Sequence, residues 1–237
     1  MDLFLLDQNI GPLELERESL AHRAYRQIRA DIISGVRPPG ERLRIEKLKA
    51  IYSIGPTPIR EALQKLSIDR LVVSQENKGF SVSPLDIEEF QDLNIARLEI
   101  EKIALTRSIE LGDSVWESRV VAATYLMEKA DATLQSEQGF SDGWELTNAK
   151  FHFEIVSACG SRWLLLMRQH LQDMCQRYRR SSIDSGSGQR ITSDEHHHIS
   201  KAVLNRDASL ACKLIERHFI TTLQQLKLHN KLATKNS

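Results

Sequence analysis

The chain has 237 residues, 41% of them hydrophobic, and its 32 basic residues balance 32 acidic ones. This composition is that of a globular protein with one or two domains, and no apolar stretch approaches the roughly 18 residues of a membrane span. The N-terminus lacks the basic and apolar regions of a signal peptide, and three scattered cysteines disfavour a secreted disulfide scaffold, so we expect a cytoplasmic protein with no membrane partner.

The charge is unevenly distributed along the chain. Residues 18–83 carry 12 basic and 7 acidic residues, a net charge of +5, whereas residues 84–237 carry 19 and 21. A basic segment joined to a mildly acidic one is typical of a nucleic-acid-binding module attached to a second domain. A charge difference of this size also arises by chance. The pattern of predicted helices and strands therefore has to show whether residues 18–83 form a nucleic-acid-binding module.

Residues 18–83 have the pattern of three helices and a hairpin. The predicted elements are a helix over residues 19–34, a short helix at about 43–51, a helix that begins after Thr57, and a hairpin over 71–82. Thr57 is a good N-cap, and it places Pro58 at the first helical position, where a missing N–H is not needed. The order of these elements predicts a winged helix-turn-helix.

From Pro84 onward the sequence predicts helices alone. The apolar periodicities fall at about residues 86–110, 114–136, 143–158, 162–181, 193–204 and 207–229, with no further proline to interrupt them. We expect a mainly α protein in which an all-helical bundle of six or seven helices follows the winged helix-turn-helix. The expected boundaries are 1–17 for an N-terminal arm, 18–83 and 84–232 for the two domains, and 233–237 for a tail.

Arg60 stands out in the predicted third helix. It falls at the third helical position, where the positive end of the helix dipole disfavours a cation. A locally unfavourable residue is expected where function overrides propensity, and a guanidinium near a helix N-terminus suits phosphate oxygens or a guanine edge. The alternative is an ion pair with Glu61 or Glu46.

The segment GERLRIEKLKAIYSIGPTPIREALQKLSIDRLVVSQENKGFSV resembles the winged helix-turn-helix of the GntR family of bacterial repressors. Gly55-Pro56 stands where the family commonly has Ser-Arg. This Gly-Pro variant is similar to that of the family's glutarate-responsive repressor. Glu46 replaces a customary basic residue of the second helix. The resemblance implies binding to double-stranded operator DNA. The candidate DNA contacts that remain are Arg44, Thr57, Arg60 and, at the tip of the wing, Lys78.

A second group of residues lies in the helical half. Asn148 and His152 are four residues apart and share one helix face, while His196 and His218 fall on two further helices. Three imidazoles and one oxygen ligand could surround a divalent ion and leave coordination positions open. Taken alone, a buried histidine is more often a hydrogen-bonded core residue.

Residues 86–230 resemble the FCD effector domain of the FadR branch of GntR regulators. The residues that carry the resemblance are Asn148-Ala149-Lys150-Phe151-His152, Glu195-His196 with Ala202-Val203 and Asp207, and Ala211 to His218. It implies a divalent metal of the Zn, Ni or Mn class at Asn148, His152, His196 and His218. His197 and His198 point elsewhere on their helix. Asn148 replaces the usual aspartate, which removes one negative charge and lowers the expected metal affinity.

Arg97 matches the arginine at the opening of the FCD domain, which the resemblance places in the effector pocket. A buried arginine needs an anion, and a small carboxylate or dicarboxylate effector would bind it bidentately. The alternative is an internal salt bridge with Glu101, one turn away. None of the three cysteines is expected in either site.

The favoured interpretation is a ligand-responsive repressor that binds a pseudo-palindromic operator as a homodimer. A metal-dependent enzyme that uses the histidine cluster is the alternative, although no H-E-x-x-H, G-x-S-x-G or paired-carboxylate pattern supports it. A protein–protein adaptor built from the helical bundle would leave Arg60 unexplained.

Overall fold

The computed structural model describes residues 18–75, 79–136, 142–183 and 193–233. Within these ranges the chain divides between Asp86 and Ile87 into two compact units. We call them the N-terminal unit and the helical unit, and describe each by itself.

The N-terminal unit combines three helices with a small sheet. Its elements are α1 (Leu20–Ile33), β1 (Arg42–Leu43), α2 (Ile45–Tyr52), α3 (Pro56–Ile68), β2 (Val72–Gln75) and β3 (Gly79–Val82). The strands are antiparallel in the order β1-β3-β2, so that Ser81 of β3 pairs with Arg42 on one side and with Val73 on the other. This is the winged helix-turn-helix that the sequence predicts, with one strand more. A two-residue strand has no periodicity to detect, so only its pairing with β3 reveals β1.

The core of this unit lies between α1 and α3. Ala24 and Ile28 of α1 and Ile59, Leu63 and Leu66 of α3 are almost completely inaccessible to solvent. These positions recur every three to four residues, which is the spacing of one helix face. The arrangement fixes α3 on α1 and leaves the opposite face of α3, including Arg60, exposed.

The start of α3 differs from the prediction. Gly55 is the N-cap, with extended backbone angles (φ −61°, ψ 162°), and Pro56 takes the first helical position. The prediction that Thr57 caps this helix is therefore wrong, and Arg60 is the fifth helical residue. Because the dipole acts mainly within the first turn, its effect on Arg60 is weaker than the sequence argument requires.

The helical unit consists of helices alone in the part of the chain that the structure describes. They are α4 (Ile87–Leu111), α5 (Ser114–Ser136), α6 (Asp142–Glu154), α7 (Arg162–Ile183), α8 (Ser193–Leu204) and α9 (Ala208–Ala233). Helix α4 packs against α7 and α9, while α5 packs against α6 and α8. The all-helical prediction is confirmed. Helix α6 ends four residues earlier than predicted, because residues 155–160 form turns and bends.

Glycines mark two of the helix boundaries. A Cβ on Gly112 would lie 2.1 Å from the ring of Trp116, so only glycine fits between α4 and α5. Gly160 has a φ of 68°, which favours glycine, between α6 and α7. Among the described helices, none combines the length and the low charge needed to cross a membrane.

Candidate functional site

The exposed basic residues of the N-terminal unit are candidate DNA contacts. Arg44 precedes α2 as its N-cap residue without a side-chain capping bond, and Arg44, Thr57 and Arg60 are all exposed. No ion pair of the described residues involves Arg60, and its proposed partner Glu46 lies 3.6 Å from Lys49 instead. The fourth candidate contact, Lys78, lies outside the described residues.

A polar network holds α2 on α1. The Tyr52 hydroxyl donates to Oδ2 of Asp31 at 2.6 Å and accepts from Nε of Arg37 at 3.3 Å. Burial and the bond to Asp31 raise the pKa of Tyr52 to about 12. Arg37 also donates to Glu41 at 2.8 Å. The short helix α2 therefore has polar supports in addition to its single fully buried residue, Leu48.

In the helical unit, three helices bring three histidines together. His152 of α6, His196 of α8 and His218 of α9 are all buried, and one ring nitrogen of each lies within 4.8 Å of the others. Their ring centroids are 5.0 to 5.6 Å apart. These are the three histidines that the sequence proposes, drawn from positions up to 66 residues apart in the printed sequence.

Two carboxylates orient the histidines. Nδ1 of His196 lies 2.8 Å from Oδ2 of Asp131, and Nδ1 of His218 lies 2.7 Å from Oε2 of Glu195. With Nδ1 protonated and donating to the carboxylate, Nε2 keeps its lone pair, as in metal sites whose histidines are held by carboxylates. Trp144 fixes Asp131 in turn, because its indole N–H donates to Oδ1 at 2.9 Å.

Several atoms of this cluster that could bind a metal have no hydrogen-bond partner among the described residues. Nε2 of His196, Nδ1 of His152 and Oδ1 of Asn148 are buried without a hydrogen bond in the described structure. Burial, and then the neighbouring His218 and His196, lower the pKa of His152 well below its usual value, so the ring is neutral. Imidazole nitrogens and an amide oxygen without partners fit a divalent metal ion.

Arg97 of α4 is buried close to the histidines. Its guanidinium carbon lies 3.9 Å from the centre of the Phe219 ring, next to His218 in the chain. Burial lowers its pKa to about 10, and its Nε has no hydrogen-bond partner. Its charge is close enough to contribute to the lowered pKa of His152. The site therefore places a buried cation beside the histidine cluster.

Glu101 does not form a salt bridge with Arg97. Its carboxylate pairs with Arg168 of α7, through Nε at 2.8 Å and Nη2 at 3.0 Å. Arg168 also donates to the backbone oxygen of His152 at 2.7 Å. The alternative of an Arg97–Glu101 salt bridge is thus not observed, and the Glu101–Arg168 pair instead ties α4 and α7 to the helix of His152.

One cysteine, Cys175, lies next to the candidate residue Arg97, a neighbour that the sequence did not predict. This thiol of α7 is buried beside Arg97, whose guanidinium lowers the pKa of the thiol while burial, the stronger effect, raises it. Cys175 was missed because it is 78 residues from Arg97 in the printed sequence and belongs to no motif.

The two neighbouring histidines of α8 lie outside the cluster, as predicted. His197 and His198 are exposed, and Nδ1 of His197 lies 2.9 Å from Glu128. Successive helical residues are about 100° apart, so a helix that directs His196 inward directs the next two away.

Sequence reasoning missed the residues that support the histidines, chiefly Asp131, Glu195 and Arg168. One signal was available for Asp131. It falls in register with the buried residues Val120, Ala123 and Met127, at the spacing of one helix face. An aspartate at an apolar-face position is rare without a partner, so it indicates a buried polar network.

Both units match known families. Residues 20–82 match the family described as bacterial regulatory proteins, gntR family, and residues 92–221 match the FCD domain. The chain is similar to the HTH-type transcriptional repressor GlaR of Escherichia coli K12, with 36% identity over 84% of this chain and 92% of that protein. It is 32% identical to the HTH-type transcriptional regulator BphR of Paraburkholderia xenovorans LB400, over 88% of this chain and 86% of that one. The names of these relatives lend no support to the metalloenzyme alternative.

Solved structures share the fold. A putative transcriptional regulator GntR from Rhodococcus sp. RHA1 superposes with a TM-score of 0.73 and 23% identity, covering 88% of this chain and 98% of that one. E. coli McbR/YncC gives a TM-score of 0.76 at 16% identity, over 90% and 99% of the two chains.

Proposed function

The chain belongs to the GntR family of bacterial regulatory proteins and is a ligand-responsive, DNA-binding transcriptional regulator, and we propose that it represses transcription as a homodimer until a small carboxylate binds its helical unit. Residues 18–83 would form the DNA-binding domain and residues 84–232 the effector domain. The observation that carries the effector half is a buried arginine with no carboxylate partner among the described residues, beside three histidines of which two, His152 and His196, have a ring nitrogen without a hydrogen bond.

The DNA half of the proposal rests on the exposed face of the N-terminal unit. Arg44, Thr57 and Arg60 are exposed there, and Arg60 has no ion pair among the described residues. In a winged helix-turn-helix the second helix of the motif, here α3, enters the major groove, and a homodimer places two such helices on successive half-sites. Arg60 would read a base or a phosphate, Arg44 and Thr57 would contact the DNA backbone, and Lys78 would make a further DNA contact.

The effector half follows from electrostatics. A guanidinium removed from water is costly unless an anion is nearby, and the lowered pKa of Arg97 reflects that cost. The one carboxylate a helical turn away, Glu101, is already paired with Arg168. A small carboxylate or dicarboxylate would supply the missing charge and bind the planar guanidinium through two oxygens.

His152, His196, His218 and Asn148 would hold a divalent ion of the Zn, Ni or Mn class. When bound, the ion would supply a second positive centre for the effector's oxygens. Asp131 and Glu195 would keep the rings of His196 and His218 in the orientation that binds metal. Asn148 offers a neutral oxygen, so the site carries less negative charge than a site with aspartate, and metal should be retained less firmly.

The regulatory step requires only a difference in affinity. A carboxylate that binds the helical unit more tightly in one state of the dimer than in another shifts the population towards that state. Repression would be relieved if the favoured state spaces the two recognition helices differently from the operator half-sites.

The proposal is tested by retardation of a fragment that carries the gene's own promoter. We expect retention that weakens steeply with salt, and release by succinate or glutarate in the presence of Zn²⁺, Ni²⁺ or Mn²⁺. The matched control is succinamide, which has the same shape without the charge and should not release the DNA. A DNA affinity that does not change with salt concentration would contradict the DNA half of the proposal. Equal release of the DNA by succinate and succinamide would contradict the effector half.

A further inference from the structure

Gln172 of α7 is a buried amide for which the described structure offers no partner. Its side chain is 1% exposed, and neither Oε1 nor Nε2 makes a hydrogen bond. Gln169, three residues earlier on the same helix, is different, because its Nε2 donates to Oδ1 of Asp173 at 2.8 Å. Burying an amide with both polar atoms unpaired destabilises the folded protein.

The neighbours of Gln172 place it at the candidate effector site. Arg168, one turn before it, contacts Glu101 and the backbone oxygen of His152. Cys175, three residues after it, lies beside Arg97. Residues three and four apart share one helix face, so Gln172 lies between these two contacts on the face of α7 that packs on α4.

We propose that Gln172 is a specificity-determining residue of the effector site and that it selects a carboxylate carrying a hydroxyl group. This inference rests on the proposed function, since it concerns the same site. Arg97 takes the carboxylate charge, and Gln172 takes the neutral part of the same molecule. The amide has no protein partner among the described residues, and the effector supplies its hydrogen bonds.

The class of effector follows from the two atoms of the amide. Oε1 accepts and Nε2 donates, side by side. A carboxylate or a keto group only accepts, so it would pair with Nε2 and leave Oε1 facing another oxygen. A hydroxyl next to a carboxylate supplies one donor and one acceptor a similar distance apart, and it pairs with both atoms of the amide.

The test compares matched effectors on the full-length protein, with the divalent ion held constant. The pairs are malate with succinate, and 2-hydroxyglutarate with glutarate, and each pair differs by a single hydroxyl. We expect the wild type to bind the hydroxyl-bearing member at least about tenfold more tightly, because a site built to bond a hydroxyl rejects the analogue that lacks it. In Gln172→Met the two members of each pair should bind equally, as measured by titration calorimetry.

Two controls separate this role from a structural one. Gln172→Met should leave the Tm of the ligand-free protein unchanged or raise it, because it removes an unpaired buried amide. Gln169→Met should lower the ligand-free Tm, because it breaks the bond to Asp173, and should keep the selectivity for the hydroxyl. A lower ligand-free Tm for Gln172→Met would show a structural role and overturn the inference.

The remaining outcomes distinguish this inference from the proposed function. If the wild type binds both members of each pair equally, or Gln172→Met keeps the selectivity, the role of Gln172 is overturned while the carboxylate site stands. If none of the four compounds binds the wild type, both the carboxylate site and the role of Gln172 are overturned.

Discussion

Nδ1 of His196 lies 2.8 Å from Oδ2 of Asp131, a residue 65 positions earlier in the chain, and both side chains are completely buried. The carboxylate fixes which nitrogen of His196 carries the proton, and so which one is free for a ligand. This relationship supports the proposed metal site, because a metal-binding histidine needs one ring nitrogen free of its proton.

Asp131→Asn should weaken metal retention by about 10- to 100-fold, the usual effect of losing a carboxylate behind a metal-binding histidine. The amide is isosteric and its oxygen can still accept from Trp144, so the fold should persist, whereas its NH2 group can no longer accept from Nδ1 of His196. The measurement is competition for Zn²⁺ against a chromophoric chelator. Glu128→Gln is the matched control, because Glu128 lies on the same helix and contacts the exposed His197 instead. Equal losses in the two variants would contradict the assignment.

The stability of the metal-free protein should fall as the pH drops below about 6.5, the ordinary pKa of histidine. The pKa of His152 is lowered in the folded state, chiefly by burial, so below that pH the unfolded chain binds a proton that the folded protein does not. His152 alone then reduces the free energy of unfolding by up to about 1.4 kcal/mol per pH unit, while above pH 7 it contributes no pH dependence.

The measurement is urea unfolding between pH 5 and pH 7.5 in the presence of a chelator. His152→Gln should flatten the dependence, whereas His197→Gln, on an exposed residue, should leave it as in the wild type. An unchanged slope in His152→Gln would mean that the ring is not the group that titrates.

Arg60→Ala should weaken binding to the promoter fragment by about 1–3 kcal/mol, because it removes a candidate base or phosphate contact from the recognition helix. Arg60→Lys distinguishes the two kinds of contact, since a lysine keeps the charge for a phosphate and loses the planar fork for guanine. Lys150→Ala, an exposed cation of the helical unit, is the control. Wild-type affinity of Arg60→Ala in a retardation assay would remove Arg60 from the interface.

Arg97→Met should abolish the rise in Tm on adding dicarboxylate, because ligand stabilisation requires ligand binding. The ligand-free Tm should stay the same or rise, since the variant removes a buried cation that has no carboxylate partner. Arg179→Met is the contrasting control. Arg179 pairs with Glu145 through two bonds, at 3.1 and 3.2 Å, so its loss leaves a buried carboxylate unpaired and should lower the ligand-free Tm. A large fall in ligand-free Tm for Arg97→Met would indicate a structural role.

Local patterns in the sequence predicted much of the fold. Helices such as α5 and α8 begin and end where the apolar periodicity predicts. A helix that buries one face has an apolar residue every three to four positions, and this repeat is visible in the sequence. The start of α3 was misplaced by two residues, since Thr57 and Gly55 are both acceptable N-caps and Pro56 and Pro58 both suit the first turn. The two-residue strand β1 left no local pattern.

Most of the site residues that the sequence identified belong to a motif. Asn148, His152, His196, His218 and Arg97 were identified from their resemblance to the FCD domain, and the structure brings the three histidines together. Asp131, Arg168 and Gln172 belong to no such motif, and Glu195 was noted only as the neighbour of His196, without a role of its own. Their role depends on which side chains they contact, and those contacts form only when the helices pack together.

The sequence by itself determined the class of each half of this protein, because helical periodicity, capping residues and motif spacing are local and survive without a fold. The tertiary structure alone decided which charges are paired. Glu101 is one turn from Arg97 but pairs with Arg168, 67 residues away, and this leaves Arg97 without a carboxylate partner among the described residues. The physical reason is that the energy of a buried charge depends on its nearest partner in space, and packing can bring a distant residue closer than a neighbour in the chain.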